Sequence, residues 1–550
     1  MSIKKLILIL VLTGFCLYFL SLFNEFVWDD EEQVVNNTVI QSISDIPYLF
    51  LGSTFNTGGT GSLTGVYYKP LMSVCFSLIY AIFKLNPFFY HLFQVSLHIF
   101  NSVLVFLVAS RLFIKYLNNN NKYFKYFSCV FALIFLIHPI NVEAVVYVSA
   151  LQDVLFLFFG MLSLFVILYK NEIKRIELFK NINFLLISTF LIFLSLLSKE
   201  TGVLFIVINF FYIVLFEKKY IKKYIFYLTV MFGLYLFLRL VIAGIRFSKN
   251  NVVPIMNAPL EERLITLPKI LFFYIKTFFY PKYLFISQHW IVSQVTFNDF
   301  YIPLMLVSLF FSILFLYCYI LWKKKRKELK LFFFFLIWFL VGISLHMQIF
   351  PLDMTVAERW FYFPIIGLLG MILCILIRNL NFRNKKIRSL NLIFLLSISS
   401  ILFYRSLMRS IDWGNGFSLF NNDQKLNSRA FDLENNLGVE YFRKGNFEEA
   451  KIHFRKSTEL ASNWWTNWNN LGVISQREGD LEQAENFYLE SIKNGNYYLS
   501  YENYLGVLIV QEKYNEAQDF LENDALLLFP YNQKLKQMYY YLENEEYLEN

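Results

Sequence analysis

The sequence predicts an all-α membrane protein that ends in a soluble domain of helical repeats. Of the 550 residues, 57% are hydrophobic and only 17% are charged, whereas about a quarter of the residues are charged in soluble domains. The apolar residues lie in blocks before Leu407, and the remainder of the chain is rich in Asn, Glu, Lys and Gly. That polar remainder repeats itself, which indicates an array of small helical units rather than a second compact domain.

The apolar blocks predict about eleven transmembrane helices, because a helix needs about twenty apolar residues to cross a bilayer. The predicted spans are 6–23, 88–112, 124–138, 150–169, 182–198, 202–217, 224–243, 301–322, 331–350, 360–378 and 388–406. The segment Lys69–Lys84 is apolar but short and begins with Lys-Pro. We interpret it as an interfacial or re-entrant helix, because a further crossing would break the charge pattern of the loops.

That charge pattern predicts the topology. Basic residues cluster in alternate loops, for example at 322–330 and 378–388, and such clusters mark the cytoplasmic side of a membrane protein. The N-terminus is then cytoplasmic, and the C-terminal repeats are extracytoplasmic. The net charge of +9 therefore reflects membrane orientation rather than nucleic-acid binding. A composition heavy in Asn, Lys, Ile and Phe indicates an AT-rich genome, and we expect a bacterial cytoplasmic (inner) membrane.

The domains follow from these boundaries. Residues 1–410 form the membrane domain, with long outer loops at 24–87 and 244–300, and 411–430 form a linker. Residues 431–550 carry about three copies of a pattern in which Leu437-Gly438 recurs as Leu471-Gly472. This spacing of 34 residues is that of tetratricopeptide repeats, pairs of helices that usually serve as scaffolds for protein contacts. A purely structural cap on the membrane domain is the alternative.

Acidic residues stand where the first helix leaves the membrane on its outer side. Asp29 and Asp30 come directly after Trp28 and are followed by two glutamates. A carboxylate near hydrocarbon has a raised pKa, which suits a general base that takes a proton from a hydroxyl. Two adjacent carboxylates could also hold a divalent cation, so that a metal stays an open possibility. The alternative is a solvated helix end.

Further ionisable residues are predicted at the same outer boundary, where such groups are costly and are often functional. They are His138, Glu143 and Asp153; Lys199 and Glu200; and Arg359 and Tyr362. Lysine and arginine in these positions could bind a phosphate group. The alternative is that each side chain only reaches out of a helix end toward water. The sequence contains no phosphate-binding GxxxxGK[ST] loop, no GxGxxG after a strand and no HExxH zinc motif.

These residues in this order resemble the transmembrane and tetratricopeptide-repeat O-mannosyltransferases, within the GT-C glycosyltransferase superfamily. The matching stretches are FVWDDEEQVVNN (26–37), YYKPL (67–71), HLFQVSLHIFNSVLV (91–105), HPINVEAVVYVSALQD (138–153), SKETG (198–202), RLITLPKILFFYIKTFFYP (263–281) and AERWFYFPIIG (357–367). The resemblance implies a GT-C fold, a polyprenyl- or dolichyl-phosphate sugar donor and a hydroxyl acceptor on the extracytoplasmic or lumenal side. One departure is Gln152, where the family commonly has Arg before the Asp that matches Asp153.

The resemblance also implies roles for the outer residues. Asp29-Asp30 would hold the catalytic position, although the sequence does not choose between them. Lys199 and Arg359 would bind the donor phosphate, and His138 and Glu143 would form part of the site wall. We therefore expect a membrane glycosyltransferase that moves a mannose-like sugar to an acceptor protein or glycan contacted by the repeats. The alternatives are a non-catalytic membrane scaffold and a lipid-linked glycan ligase, polymerase or transporter.

Overall fold

The computed structural model describes residues 1–56, 63–64, 67–117, 123–173, 183–246, 253–379, 385–427 and 429–549. Residues 380–384 of the basic loop predicted at 378–388 lie outside this part of the chain. Nearly all the regular structure in the described ranges is helical. They contain one strand pair, in which β1 (Phe55–Asn56) runs antiparallel to β2 (Leu63–Thr64) in the first long loop. The predicted all-α class is confirmed, with this small hairpin as an addition.

The membrane domain consists of helices of very different length. They are α1 (Ile3–Tyr18), α2 (Pro70–Phe83), α3 (Pro87–Leu117), α4 (Tyr123–Ile137), α5 (Val142–Val146), α6 (Leu151–Leu168), α7 (Lys170–Ile173), α8 (Phe184–Ser198), α9 (Val203–Phe216), α10 (Ile221–Leu236), α11 (Pro254–Asn257), α12 (Leu260–Phe279), α13 (Ile302–Lys323), α14 (Glu328–Ser344), α15 (Pro364–Asn379) and α16 (Lys385–Asp412). Each of the eleven predicted spans coincides with one of these helices.

Five helical segments in the described residues are long and apolar enough to cross a membrane on their own. They are Pro87–Leu117, Val148–Leu168, Lys218–Ile242, Phe297–Lys323 and Ile393–Asp412. A sixth candidate is a pair, Phe124–Ile137 with Pro139–Val146, that bends by 52°, where Pro139 removes a backbone donor. Several other apolar helices are shorter, because polar residues such as Lys199 end them early. The chain is an integral membrane protein, and the count of eleven crossings stays a prediction.

The C-terminal part is an array of helical hairpins. After α17 (Gly416–Leu426), which lies in the predicted linker, the helices are α18 (Phe431–Arg443), α19 (Phe447–Leu460), α20 (Trp465–Glu478), α21 (Leu481–Asn494), α22 (Tyr498–Val510), α23 (Tyr514–Phe520), α24 (Leu526–Leu528) and α25 (Gln533–Glu549). Gly438 and Gly472 lie where the two helices of a hairpin meet. A Cβ added there would lie 2.6 Å from the Phe454 ring and 2.5 Å from the Tyr488 ring. The predicted repeats and the reason for their glycines are confirmed.

Buried charges connect the start of the repeats and the preceding linker to the membrane domain. Arg409, near the end of α16, forms a two-pronged ion pair with Asp423 of α17 at 2.6 and 3.0 Å. Asp432, at the start of α18, accepts hydrogen bonds from Ser287 and His289 of the loop between α12 and α13. Because both sides of each contact are nearly inaccessible to water, the first pair fixes α17 against α16 and the second contact fixes the start of α18 against this loop.

Candidate active site

The acidic turn after α1 gives its two aspartates different environments. The carboxylate of Asp30 is buried and accepts hydrogen bonds from the backbone N–H groups of Val27, at 3.1 Å, and of Ser149, at 2.7 Å. Burial raises the pKa of Asp30 to about 7, although these hydrogen bonds work against the shift. Asp30 therefore ties the turn to the segment that precedes α6, and both of its oxygens are occupied.

Asp29 has no such backbone partners among the described hydrogen bonds. Its carboxylate is next to the Tyr147 hydroxyl and within electrostatic reach of Arg359 and Lys69. Burial raises the pKa of Asp29, whereas Tyr147, Arg359 and Lys69 favour its charged form. A carboxylate with a raised pKa, next to a hydroxyl and to cations, has the properties that a general base requires.

The backbone before Asp29 is strained. Trp28 has a φ of +59°, a left-handed conformation that is unusual for a bulky residue and is often found at functional sites. Its indole stacks on the Tyr147 ring with the centroids 5.4 Å apart, and Tyr147 packs in turn on Trp413, 5.3 Å away. This aromatic stack holds Trp28 in the strained conformation and so sets the direction of the neighbouring Asp29 side chain.

Arg359 reaches the site from the short helical turn before α15, and Glu143 of α5 holds it. The Glu143 carboxylate accepts the Arg359 backbone N–H at 2.9 Å with one oxygen and the guanidinium with the other. The Glu143 side chain is 1% exposed and that of Arg359 is 10% exposed. Burial lowers the pKa of Arg359, but the Glu143 charge outweighs it and the net shift is upward. The guanidinium is therefore a permanent positive charge of fixed position.

Lys199 occupies the break between α8 and α9, where the chain is extended and the helix has ended. Its ammonium group lies 2.6 Å from an oxygen of Asp153, which is in the first turn of α6. The other Asp153 oxygen is buried and has no partner among the described residues. Next along the chain, Glu200 pairs with Arg239 at 2.6 Å and accepts the Tyr68 backbone N–H at 3.3 Å.

Two cations at this site were not predicted from the sequence. Lys69 is buried at the start of α2, close enough to Lys199 for mutual repulsion, and it makes no ion pair in the described part of the chain. Arg239, the partner of Glu200, lies within the predicted span 224–243. The available signals were a lysine immediately before Pro70, at the start of an apolar segment, and the presence of an arginine inside an apolar span.

The polar side-chain atoms of His138 and Tyr362 already form hydrogen bonds within the protein. The two ring nitrogens of His138 contact the Phe278 carbonyl at 3.0 Å and the Ile140 backbone N–H at 3.2 Å. The Tyr362 hydroxyl is buried between His98, at 2.7 Å, and Asn101, at 3.3 Å. Neither side chain presents a free polar atom to a ligand, so that their predicted part in the site reduces to supporting its wall.

A divalent cation at the acidic turn stays a prediction. No group of three or more His, Cys, Asp or Glu side chains within the described ranges is placed to hold a metal ion. Both Asp30 oxygens already accept backbone N–H groups. Mg²⁺ is often bound through only one or two carboxylates together with water and substrate phosphates.

The pKa of Lys69 predicts how anion binding at this site depends on pH. Burial and the neighbouring Lys199 lower that pKa from 10.5 to about 8. The ammonium group therefore loses its proton as the pH rises through about 8, and affinity for a phosphate ligand should then fall, by up to about tenfold per pH unit. Binding of a polyprenyl phosphate to the full chain in nanodiscs, titrated from pH 6.5 to 9.5, measures this.

Lys69→Arg provides the matching test, because arginine stays charged throughout this range. We expect this variant to lack the loss of affinity above pH 8. Lys84→Arg, at the exposed end of α2, is the control and should behave as the unmodified chain does. An alkaline loss that persists in Lys69→Arg would assign the titration to another group.

Comparison with known proteins agrees with this architecture. The tetratricopeptide-repeat family model matches residues 435–463 and 466–494. A protein O-mannosyl-transferase of Caenorhabditis elegans is 24% identical over 472 residues, which are 82% of this chain and 62% of that protein. Protein O-mannosyl-transferase TMTC3 of Mus musculus is 23% identical over 495 residues, covering 84% of this chain and 51% of the relative. TMTC2 of Homo sapiens is 32% identical over 151 residues, 28% of this chain and 17% of its own.

The chain thus spans about half to three fifths of the length of the first two relatives. Among solved structures, ArnT from Cupriavidus metallidurans bound to undecaprenyl phosphate aligns with 95% of this chain and 80% of its own, at 11% identity. The TM-score of that alignment is 0.37, too low to establish a common fold. The resemblance read from the motifs is confirmed by the curated relatives: over 82–84% of its length this chain is similar to the TMTC protein O-mannosyl-transferases.

Proposed function

We propose that the protein transfers a mannose-like sugar from a polyprenyl- or dolichyl-phosphate donor to a hydroxyl group of an acceptor on the extracytoplasmic side. The observation that carries this proposal is the difference between the environments of the two aspartates in the acidic turn. Asp30 is held by two backbone N–H groups, and Asp29 is left beside the cations Lys69 and Arg359. The names of the relatives, protein O-mannosyl-transferases, support the choice of reaction.

In the proposed reaction Asp29 takes the proton of the acceptor hydroxyl. The acceptor oxygen forms a bond to the anomeric carbon of the sugar as the bond from that carbon to the phosphate oxygen breaks. The lipid phosphate leaves with the electron pair of that bond, and Lys69, Lys199 and Arg359 stabilise its charge. Fixed charges in a site that excludes water need little reorganisation during the reaction, which makes their contribution large.

Ion pairs with other carboxylates explain why two of these cations do not form an ion pair with Asp29. Glu143 and Asp153 hold Arg359 and Lys199 from behind. A buried guanidinium or ammonium group without a counter-ion would be very costly. The partners therefore compensate the charges of both cations before the donor arrives.

A non-catalytic scaffold and a lipid-linked glycan ligase or transporter are the other candidates. A scaffold that works only through its repeats gives no reason for a strained Trp28 next to an aspartate that lies beside two cations. A transporter would use the cations but would not need a base, whereas a ligase would also deprotonate a hydroxyl and differs in the donor that it consumes. The proposed reaction accounts for both features.

The deciding experiment is a transfer assay with the purified full chain in nanodiscs. We would supply radiolabelled mannose on polyprenyl phosphate, on polyprenyl diphosphate or on a nucleotide, together with an unstructured peptide that contains one threonine. Label should move to the peptide from polyprenyl-phosphate mannose only, and acetylation of the threonine hydroxyl should prevent it.

Asp45→Asn, an exposed acid of the same loop, is the control variant and should keep full activity. Consumption of no donor in the presence of peptide or cell-envelope extract would overturn the proposal. Release of intact lipid-linked glycan onto a lipid acceptor would favour the ligase instead.

A further inference from the structure

A further carboxylate faces the candidate site from the loop that joins α14 to α15. Asp353 stands in this loop and is half-buried. It lies within electrostatic reach of Asp29 and also of the cations Lys69 and Arg359. In the proposed reaction Asp29 serves the acceptor and the cations serve the leaving phosphate, and neither step uses Asp353.

The loop around Asp353 is held in one conformation by Gln348. Gln348 has a φ of +57°, and its side chain is fully buried. The carboxamide donates to the carbonyl groups of Met354 and Thr355 at 2.7 and 2.9 Å, and its oxygen accepts the Leu352 backbone N–H at 2.9 Å. One buried side chain thus closes the turn on both sides of Asp353 and fixes where its carboxylate is presented.

Tyr67, shortly before α2, orients the Asp353 carboxylate. Its hydroxyl donates to one Asp353 oxygen at 3.1 Å. Its backbone carbonyl accepts hydrogen bonds from the hydroxyl groups of Ser53 and Thr54 at 2.7 and 3.0 Å. The Lys69 ammonium group lies over the Tyr67 ring, 4.4 Å from its centroid. Because backbone, ring and hydroxyl of the tyrosine all have partners, the carboxylate has a defined orientation.

The other Asp353 oxygen is left unused. Within the described ranges it accepts no hydrogen bond, and the carboxylate makes no ion pair. Arg359 and Lys199 already have their own counter-ions, Glu143 and Asp153. An ionised carboxylate can accept about four hydrogen bonds, so that most of the capacity of Asp353 is open. A fixed carboxylate that is near cations but paired with none of them is suited to a ligand with hydroxyl groups.

The position of Asp353 indicates which part of the substrates it meets. In the proposed reaction the acceptor hydroxyl lies at Asp29, the phosphate lies at the cations, and the transferred sugar lies between them. A group within reach of both therefore borders the sugar. Sugar hydroxyl groups donate hydrogen bonds, and a bond accepted by a carboxylate is about twice as strong as one between neutral groups.

We propose that Asp353, oriented by Tyr67, binds a hydroxyl group of the transferred sugar and selects a sugar that carries no acidic group. This inference rests on the proposed function and specifies its donor. A sugar acid would bring a third negative charge to Asp29 and Asp353, and this repulsion would exclude it. Asp353 would then determine specificity, and Tyr67 would be a positioning residue.

The test measures binding, so that it does not depend on transfer. The first ligand is a phosphonate analogue of polyprenyl-phosphate mannose, in which a methylene group replaces the glycosidic oxygen. The second is polyprenyl methylphosphonate, which has the same single negative charge and no sugar. Both are titrated with the full chain in nanodiscs.

Asp353→Ala should separate the two ligands. The variant should bind the mannose analogue about tenfold to a hundredfold more weakly, because a hydrogen bond to a charged group is lost. Its affinity for polyprenyl methylphosphonate should not fall, since a negative charge near the phosphonate is removed. Asp45→Ala, an exposed acid of the first long loop, is the matched control and should bind both ligands as the unmodified chain does.

Analogues that each lack one sugar hydroxyl identify the contact. One of them should bind the unmodified chain about tenfold more weakly than the mannose analogue does, and Asp353→Ala should not distinguish these two ligands. Such a coupled loss is the signature of a direct contact. An analogue with a carboxylate in place of the primary alcohol should bind the unmodified chain poorly and should gain affinity in Asp353→Ala.

Tyr67→Phe tests the positioning role. This variant keeps the ring beneath Lys69 and removes the hydroxyl that holds Asp353. It should bind the mannose analogue about threefold to tenfold more weakly and polyprenyl methylphosphonate as before. An unchanged affinity for the mannose analogue would show that Asp353 needs no support from Tyr67 and would overturn that part of the inference.

The paired ligands also distinguish a sugar contact from an effect on the cations. If Asp353→Ala weakened the binding of both ligands by the same factor, Asp353 would act through Lys69 and Arg359, and the inference would be overturned. It would also be overturned if the unmodified chain bound the mannose analogue no more tightly than polyprenyl methylphosphonate. If the sugar contact is found but no labelled sugar reaches any acceptor, the inference stands and the proposed function fails.

Discussion

Replacing Asp29 by Asn should lower the rate of sugar transfer by about a thousandfold, within the range that a positioned general base contributes. The substitution keeps the shape of the side chain and removes its ability to take the acceptor proton. Because the Asp29 carboxylate accepts no backbone N–H group in the described part of the chain, the fold should be preserved. Single-turnover transfer from labelled polyprenyl-phosphate mannose gives the rate, and thermal unfolding in nanodiscs gives the stability.

Asp30→Asn should lower the stability of the protein more than its transfer rate, the opposite of Asp29→Asn. An amide in place of the carboxylate would point an N–H group at one of the two backbone N–H groups that Asp30 now accepts. Leaving one buried donor unsatisfied costs about 1–3 kcal/mol, so that the main result should be a lower free energy of unfolding with a smaller loss of rate. A variant Asp30→Asn that is inactive at unchanged stability, beside an active Asp29→Asn, would reverse the assignment.

The same assignment predicts a pH dependence. Burial raises the pKa of Asp29, and a general base acts only when it is deprotonated. The transfer rate should therefore fall as the pH decreases through this raised value, at a higher pH than an exposed aspartate would require. In Asp29→Asn this acidic limb should disappear from the residual rate, whereas it should remain in Asp45→Asn.

Helices and repeats could be predicted because their signals are local. A run of apolar residues identifies a buried or membrane helix, and a period of 34 identifies a hairpin array, so that every predicted span coincides with a helix. The position at which a helix ends, however, also depends on tertiary contacts. Helix α8 ends where Lys199 meets Asp153, 46 residues away, and this contact is not visible in the sequence around position 199.

The roles of the site residues likewise depend on tertiary contacts that the sequence does not show. An acidic pair after the first helix indicated a base, but choosing between its members requires the Ser149 backbone N–H, which is 119 residues from Asp30. Lys69 was quoted in a motif without a role, because its burial and its proximity to Lys199 depend on how α2 packs. Arg239 lay within an apolar span, and only its pairing with Glu200 reveals that it belongs to the candidate site.

Glu143 offers the second large effect, because its carboxylate is the counter-ion of a buried arginine. In Glu143→Gln, Arg359 would keep its charge and lose the group that compensates for it. Breaking one partner of a buried ion pair costs about 3–5 kcal/mol, and we expect the free energy of unfolding to fall by that amount. Transfer should fall about a hundredfold, since the guanidinium would no longer be held toward the donor phosphate. Glu172→Gln, from the exposed pair of Arg111 and Glu172, is the control and should change stability by less than about 1 kcal/mol.

The double variant Glu143→Gln with Arg359→Gln separates the structural part of this effect from the functional part. Removing both charges also removes the uncompensated one, and stability should then recover most of the loss seen in Glu143→Gln alone. Transfer should not recover, because the donor phosphate still lacks its arginine. If activity returned together with stability, Arg359 would be a structural residue and the binding of the leaving phosphate would rest on Lys69 and Lys199. If neither returned, Glu143 would act through contacts other than Arg359, and the paired arrangement would not be the reason for its burial.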